Sequence, residues 1–180
     1  MSKVNLEKFI NNAPVGKIIT LKFKNKKRYE LVKYHDGIIG MRDCIVELEF
    51  AETINENDWN ISNAKYQLEK WFKNNAPDEL LNLCDVTIPS ITNVFGRDNW
   101  LLLKESGEIQ FDLFKDYHNR VKFFDGMFGE DLVDWWTKTP FNSSKTKEYE
   151  VVCIDFSGQI FISMTDEIRG LLPIFIRRGN

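Results

Sequence analysis

Over residues 17–24 apolar and polar positions alternate. Ile19, Leu21 and Phe23 fall on one side and Lys22 and Lys24 on the other, the two-residue period of a half-buried strand. Asn25-Lys26 can turn the chain, and residues 28–34 return in the same alternation. Asp36-Gly37 is a second turn signal, followed by Ile38-Ile39-Gly40-Met41 and an apolar-rich strand over residues 44–50. The first fifty residues therefore predict an antiparallel meander. Ahead of it, Leu6, Phe9 and Ile10 at helical spacing predict a short helix, capped by Asn5 and ended by Pro14.

The period then lengthens. Over residues 61–74, Ala64, Leu68, Trp71 and Phe72 share one helical face, with Trp71 the expected buried anchor. Ser62 suits the N-cap, and Ile61 with Tyr66 has the spacing of a hydrophobic staple. Pro77-Asp78-Glu79 opens a second short helix running through Leu83, its acids in the turn that the helix dipole favours. Residues 86–96 read as irregular or extended, and residues 100–103 as a short apolar strand. Ile109, Leu113, Tyr117 and Val121 recur every fourth position and predict a helix over residues 108–121. Residues 123–129, with three phenylalanines and two glycines, read as an aromatic-rich loop.

The last third, residues 134–177, carries the strongest β pattern. Tyr149 to Phe156 is an apolar run broken by Ser157-Gly158 and resumed by Gln159-Ile160-Phe161-Ile162, which predicts a hairpin. The run is apolar at consecutive positions, so its sheet should be covered on both faces. A final run, Leu171-Leu172-Pro173-Ile174-Phe175-Ile176, should lie in or beside the sheet of the N-terminal strands.

Composition narrows the class. With 180 residues the expectation is a helical lead over 1–14 and a single domain over 15–180. The net charge of −3 gives no electrostatic footprint for nucleic acid, which is therefore not expected as a partner. Charge is nonetheless uneven: residues 17–33 hold seven bases against Glu30, and residues 105–134 hold eight acids against three bases. The cysteines, Cys44, Cys84 and Cys153, are too few and too scattered for a disulfide framework or a zinc site, and read as small buried hydrophobes. Residues 1–13 lack the apolar core of a signal peptide, and no apolar run reaches the ~20 residues of a membrane span. The expectation is synthesis in a cytoplasm, with no membrane partner.

Two motifs suggest a family. Trp135-Trp136-Thr137-Lys138-Thr139-Pro140 is similar to the Trp-Trp-Leu-Arg-Ser-Pro hallmark of a branch of bacterial and phage domains with a C-type-lectin-like fold. Gly170-Leu171-Leu172-Pro173 is similar to that branch's terminal Gly-Val-Arg-Pro, and the helix from Ser62 to Phe72 resembles its Leu-x-x-Trp-Leu segment. Lys138 and Thr139 replace the hallmark's Arg and Ser, and Leu172 replaces the terminal Arg. The resemblance spans most of residues 15–177. It implies an α+β, C-type-lectin-like fold: a twisted antiparallel sheet, two main helices and long irregular loops. The branch is related in fold to formylglycine-generating enzymes and to retroelement-diversified binding proteins. Cys153 alone in a strand does not reproduce the active-site cysteines of the former.

The functional expectation is a non-enzymatic binding module for a protein or glycan surface. It would be encoded by a phage or mobile element, as a virion-associated protein or as an effector gripping a host protein. Loops emerging beside the last strands are the natural place for its binding residues. The candidates are Phe141 and Lys145 in residues 141–147, Met164 and Arg169 in residues 163–169, and Trp136 as a stacking platform. Trp136 has a competing reading as core, as does its neighbour Trp135. No cofactor and no metal is expected. The alternatives are an enzyme using the carboxylates of Asp125, Glu130, Asp131 and Asp134, and a weak nucleic-acid binder using the basic hairpin from Lys22 to Arg28. An acidic face and a solvated hairpin tip are the plainer readings of those two stretches.

Overall fold

The computed structural model describes residues 5–52, 56–97, 101, 105, 107–126, 129–141 and 150–179. The protein is α+β, with mostly antiparallel sheets. The meander forms as its alternation requires: β1 (Ile18–Lys22), β2 (Arg28–His35) and β3 (Ile38–Met41) pair in sequence, with Gly37 at φ 66° making the second turn. Strand β4 (Val46–Glu49) leaves this sheet for another. Before it, helix α1 (Leu6–Asn12) is capped by Asn5, whose side chain accepts from the Lys8 amide at 2.9 Å. Leu6 and Ile10 are buried in the main core, and the buried Lys33 ammonium donates to the Ile10 carbonyl. That bond ties the last turn of α1 to β2.

Helix α2 (Asn63–Asn75) starts where expected, with the Ser62 hydroxyl accepting from the Lys65 amide at 3.1 Å. Its buried residues are Ala64, Leu68 and Phe72. Two expectations are corrected here. Trp71 is half-buried, packing at the edge of both cores, while Ile61 and Tyr66 are 64% and 61% exposed and form no buried staple. Helix α3 (Asp78–Leu83) follows as predicted. Residues 86–96 are more ordered than expected: β5 (Cys84–Thr87) and α4 (Ile91–Phe95), the latter closed by a reciprocal Ser90–Asn93 capping box.

The helix predicted over residues 108–121 does not form. Two 3-10 turns, Asp112–Lys115 and Tyr117–Arg120, take its place. Ile109 and Tyr117 are half-exposed, so the four-residue spacing marks no buried face. The Asp116 carboxylate caps the second turn by accepting from the His118 amide, which interrupts any continuous helix. The strand predicted at residues 100–103 lies outside the described residues apart from Leu101. The supposed aromatic loop is a hairpin, β6 (Lys122–Gly126) with β7 (Gly129–Val133).

The last third builds the second sheet from β8 (Trp135–Phe141), β9 (Glu150–Ile154), β10 (Ile160–Met164) and β11 (Ile168–Leu171), in the order β10-β9-β8-β11-β4. All its pairings are antiparallel except β8 with β11. The final apolar run is not one strand. It splits at Leu172-Pro173, so that β11 ends in the second sheet and β12 (Ile174–Arg177) lies between β3 and β5 in the first, in the order β1-β2-β3-β12-β5. The Pro173 carbonyl accepts from the Met41 amide at 2.9 Å at that crossing. The chain's end therefore does join the N-terminal strands, and Arg177 bonds to Asn11 and Glu7 of α1.

Sheet two is covered on both sides, as its consecutive apolar positions require. Val151, Val152, Cys153 and Ile154 are all fully buried. Trp135 belongs to the larger core with Val152, Ile154 and Phe114. Trp136 belongs to a smaller one with Phe50, Ala64, Leu68 and Leu171. Adjacent residues on a strand face opposite ways, so the tryptophan pair serves both cores at once.

Candidate functional site

The sequence candidates separate when placed on this frame. Trp136 is fully buried, and its indole N–H is bonded to Leu48, so it cannot be a surface platform. Phe141 is half-buried at the end of β8 and packs against the larger core. Lys145 lies outside the described residues. Met164 and Arg169 do not sit in a seven-residue loop. They flank a tight turn, closed by the Glu167 amide donating to the Met164 carbonyl at 3.2 Å.

Around this turn the surface takes on a definite character. Arg169 is largely covered. Its guanidinium lies over the Phe161 ring at 5.6 Å, and Nη1 donates to the Ile168 carbonyl at 2.8 Å. Nε stands 3.6 Å from Asp134 Oδ2 and Nη1 stands 3.7 Å from Glu167 Oε2. Those are ion-pair separations, beyond good hydrogen-bond length. Nε is buried and has no hydrogen-bond partner. The arginine is thus held in place by an aromatic ring and two carboxylates.

Large exposed apolar side chains lie on the segments that meet here. Met164 and Ile168 flank the turn, 41% and 57% exposed. Asp134, the partner of Arg169, also accepts from the Phe156 amide at 2.8 Å, and Phe156 is 57% exposed. Leu132, two residues before Asp134 on β7, is 49% exposed. The neighbouring edge strand β10, Ile-Phe-Ile-Ser-Met, carries no charge, and among the described residues no strand pairs with its outer side. Exposed uncharged edges are usually blunted by lysine, proline or a bulge, because their free amides and carbonyls invite another chain.

Phe156, Ile168 and Leu132 were not legible as surface residues. Phe156 follows the run of residues 151–154 and Leu132 begins Leu132-Val133, and such a run gives no sign of which neighbour passes out of the core, while Ile168 stands alone between Glu167 and Arg169. The position of Phe156 directly before the Ser157-Gly158 turn was the one available clue.

The other candidate stretches resolve differently. Asp134 belongs to the Arg169 surface, while Asp125 and Glu130 face each other across the β6–β7 pair and Asp131 lies opposite Phe124. The four carboxylates do not converge. Among the described residues no group of three His, Cys, Asp or Glu side chains is placed to hold a metal ion. In the basic hairpin, Lys22 pairs with Arg28, and Phe23 is buried on the opposite face, so no aromatic interleaves with the bases on a single-strand-binding surface. The polar half of the tryptophan motif also turns inward. Lys138 pairs with Glu108 at 2.6 Å, and the Thr139 hydroxyl binds Glu105 while accepting from the Ile91 amide at 2.8 Å. These contacts fasten Glu105, Glu108 and α4 to β8.

Comparison of the chain with family models, with curated proteins and with solved structures finds no match in any of the three.

Proposed function

We propose that the chain is a C-type-lectin-like, non-enzymatic binding module that grips a protein partner through the surface around Arg169. The lectin-like reading is supported by the tryptophan pair shared between two cores, by the terminal Gly-Leu-Leu-Pro crossing between sheets, and by the last strand lying among the N-terminal ones. Chain ends tied together on one sheet, with the second sheet beside the loops, suit that architecture.

One observation carries the binding role: the exposed Met164 and Ile168 flank the turn that leads into Arg169, and the exposed Phe156 is tied through its amide to Asp134, the ion-pair partner of that arginine. Apolar surface rimmed by polar groups marks interaction sites. Met, Phe and Arg are enriched in interface cores, and arginine anchors are frequent hot spots. The composition favours a protein over a glycan. Sugar recognition would draw on flat exposed rings such as tryptophan, and both rings of the Trp135-Trp136 pair are buried. Such a module suits a virion-associated protein or an effector that holds a host protein, the two roles the resemblance implies.

The test compares the tagged wild-type chain with the Phe156→Ser/Ile168→Ser double variant in cells of the native host. One protein should co-purify in stoichiometric amount with the wild type and vanish with the variant. The variant's stability should stay within roughly 1 kcal/mol, as for surface changes. Retention of the same partner by the variant, or capture of a defined glycan in its place, would overturn the proposal.

A further inference from the structure

A second site lies between the two hairpins that the sequence marks by opposite charge. A cleft of about 220 Å³ is lined on one wall by Lys27, Arg28 and Tyr29 of the β1–β2 hairpin. The other wall is the β6–β7 hairpin, with Phe123, Phe124, Asp125 and Glu130. The floor is the segment after β3. Here Arg42 pairs with Glu30 at 2.7 Å and with Asp43 at 3.7 Å, so the floor's own charges largely cancel. The far wall is riveted in place: the Cys44 amide donates to Phe123 O at 2.9 Å, the Phe123 amide to Asp43 Oδ1 at 3.3 Å, and Lys122 Nζ to Arg42 O at 2.8 Å.

The wall charges, in contrast, form no close ion pair, although Arg42 on the floor attracts Glu130. Among the described residues none of Lys27, Arg28, Asp125 and Glu130 has an opposite charge within 4.0 Å. Two cations face two anions across the cleft without meeting. Asp125 and Glu130 are also direct cross-strand partners, and like charges so placed destabilise a strand pair. A ligand that brings a cation to this pair and an anion to Lys27 and Arg28 satisfies all four groups.

We propose that this cleft binds a small zwitterion carrying a guanidinium and a carboxylate. Its guanidinium would sit between Asp125 and Glu130, and its carboxylate against Lys27 and Arg28. Size selects the class, since 220 Å³ lies below the ~300–1,000 Å³ of drug-sized pockets and suits an amino acid or the end of a peptide. Paired carboxylates favour the planar fork of a guanidinium, and Phe123 lines the cleft two residues before Asp125 on the same face of β6. The same chemistry is presented by free arginine and by a peptide ending in arginine. The site shares no residue with the Arg169 surface, so each assignment can fail while the other stands.

Titration calorimetry on the full chain tests this with L-arginine, the tripeptide Gly-Gly-Arg, agmatine, which lacks the carboxylate, and L-citrulline, which lacks the cation. L-arginine or the tripeptide should bind, with agmatine and citrulline at least about tenfold weaker. Tighter binding of the tripeptide assigns the cleft to peptide ends, and tighter binding of arginine to the free amino acid. The Asp125→Asn/Glu130→Gln variant should lose about tenfold or more in affinity, with a melting temperature unchanged or raised by relief of the like-charge pair. The ligand series needs no variant and decides the matter alone. Absence of heat up to ~10 mM arginine and tripeptide, or equal binding of agmatine or citrulline, would overturn the proposal.

Discussion

Trp136 donates its indole N–H to the main-chain oxygen of Leu48 at 2.8 Å. The bond reaches from β8, in the middle of the second sheet, to its edge strand β4, while the ring fills the smaller core against Phe50 at 5.4 Å. Two terms can therefore be separated. Trp136→Phe keeps most of the packing but removes the donor, and should cost about 1–3 kcal/mol. Trp136→Ala adds a cavity and should cost about 3–5 kcal/mol. Denaturant unfolding of both variants checks this. Equal costs would mean that the packing of the ring adds nothing beyond the hydrogen bond, and an unchanged stability of Trp136→Phe would mean that the bond contributes nothing separable from the ring.

Gly170 should tolerate no side chain. Its backbone is not left-handed, so the constraint is purely steric: an added Cβ would lie 2.7 Å from Cys44 Sγ and 3.1 Å from Val133 Cγ2. Gly170→Ala should destabilise by about 1–3 kcal/mol, the usual range for overpacking. Cys44→Ala in the same chain removes the nearest atom and should recover part of that loss. The measurement is a double-mutant cycle, with an expected coupling of about 0.5 kcal/mol or more. Strict additivity would show that the sulfur is not what excludes the methyl group.

What the sequence revealed of this fold follows the range of the interactions involved. Strands β1 to β3, helix α2 with its Ser62 cap and the β9–β10 hairpin are set by local periodicity and turn residues, and were legible. The residues 108–121 segment was misread because spacing alone cannot distinguish a buried face from Ile109 and Tyr117, which stay half in water. The final run was read as one strand because nothing local says that Leu171 and Ile174 pair with different sheets. Of the candidate site, Met164 and Arg169 were visible as interface-type residues beside a turn. The partners that define the surface, Asp134 and Phe156, come from elsewhere in the chain. The cleft between the charged hairpins joins residues about a hundred positions apart and leaves no mark in any local window.

The three thiols should be inert in the folded protein. Cys44, Cys84 and Cys153 are all buried and free. Burial pushes the Cys84 thiol up to about 11, and the other two are raised by burial as well. A thiolate is the reactive form, so an aromatic disulfide reagent at mildly alkaline pH should label none of them natively and all three after denaturation. Linkage gives a second consequence. Folded-state values above the ordinary ~8.5 mean that their contribution to stability is intact below that pH and is lost as pH rises beyond it. Fast native labelling of any thiol would show that its segment opens far more readily than the core around it.

Lys122 should carry the opposite pH dependence. Its ammonium is buried beneath the cleft floor, near the rings of Tyr34 and Phe114 at 5.8 Å, and among the described residues it bonds only to the Arg42 carbonyl. Desolvation lowers its pKa to about 8, against the pull of nearby Asp43. An unfolded lysine titrates near 10.4. Between those values the unfolded chain holds the proton more tightly, so the cost of burying the charge is full below about pH 8 and fades as pH rises towards 10.4. The thiols mask this in the total, so the test is a difference. Relative to Lys122→Met, which has no charge to bury, the wild type should gain about 2 kcal/mol between roughly pH 7 and 9.5. At pH 7 the variant should be as stable as the wild type or more so, since an apolar group of similar length replaces a desolvated cation. A stability difference that stays flat with pH would mean that Lys122 keeps an ordinary pKa, and that water reaches it where the cleft floor meets the β6–β7 hairpin.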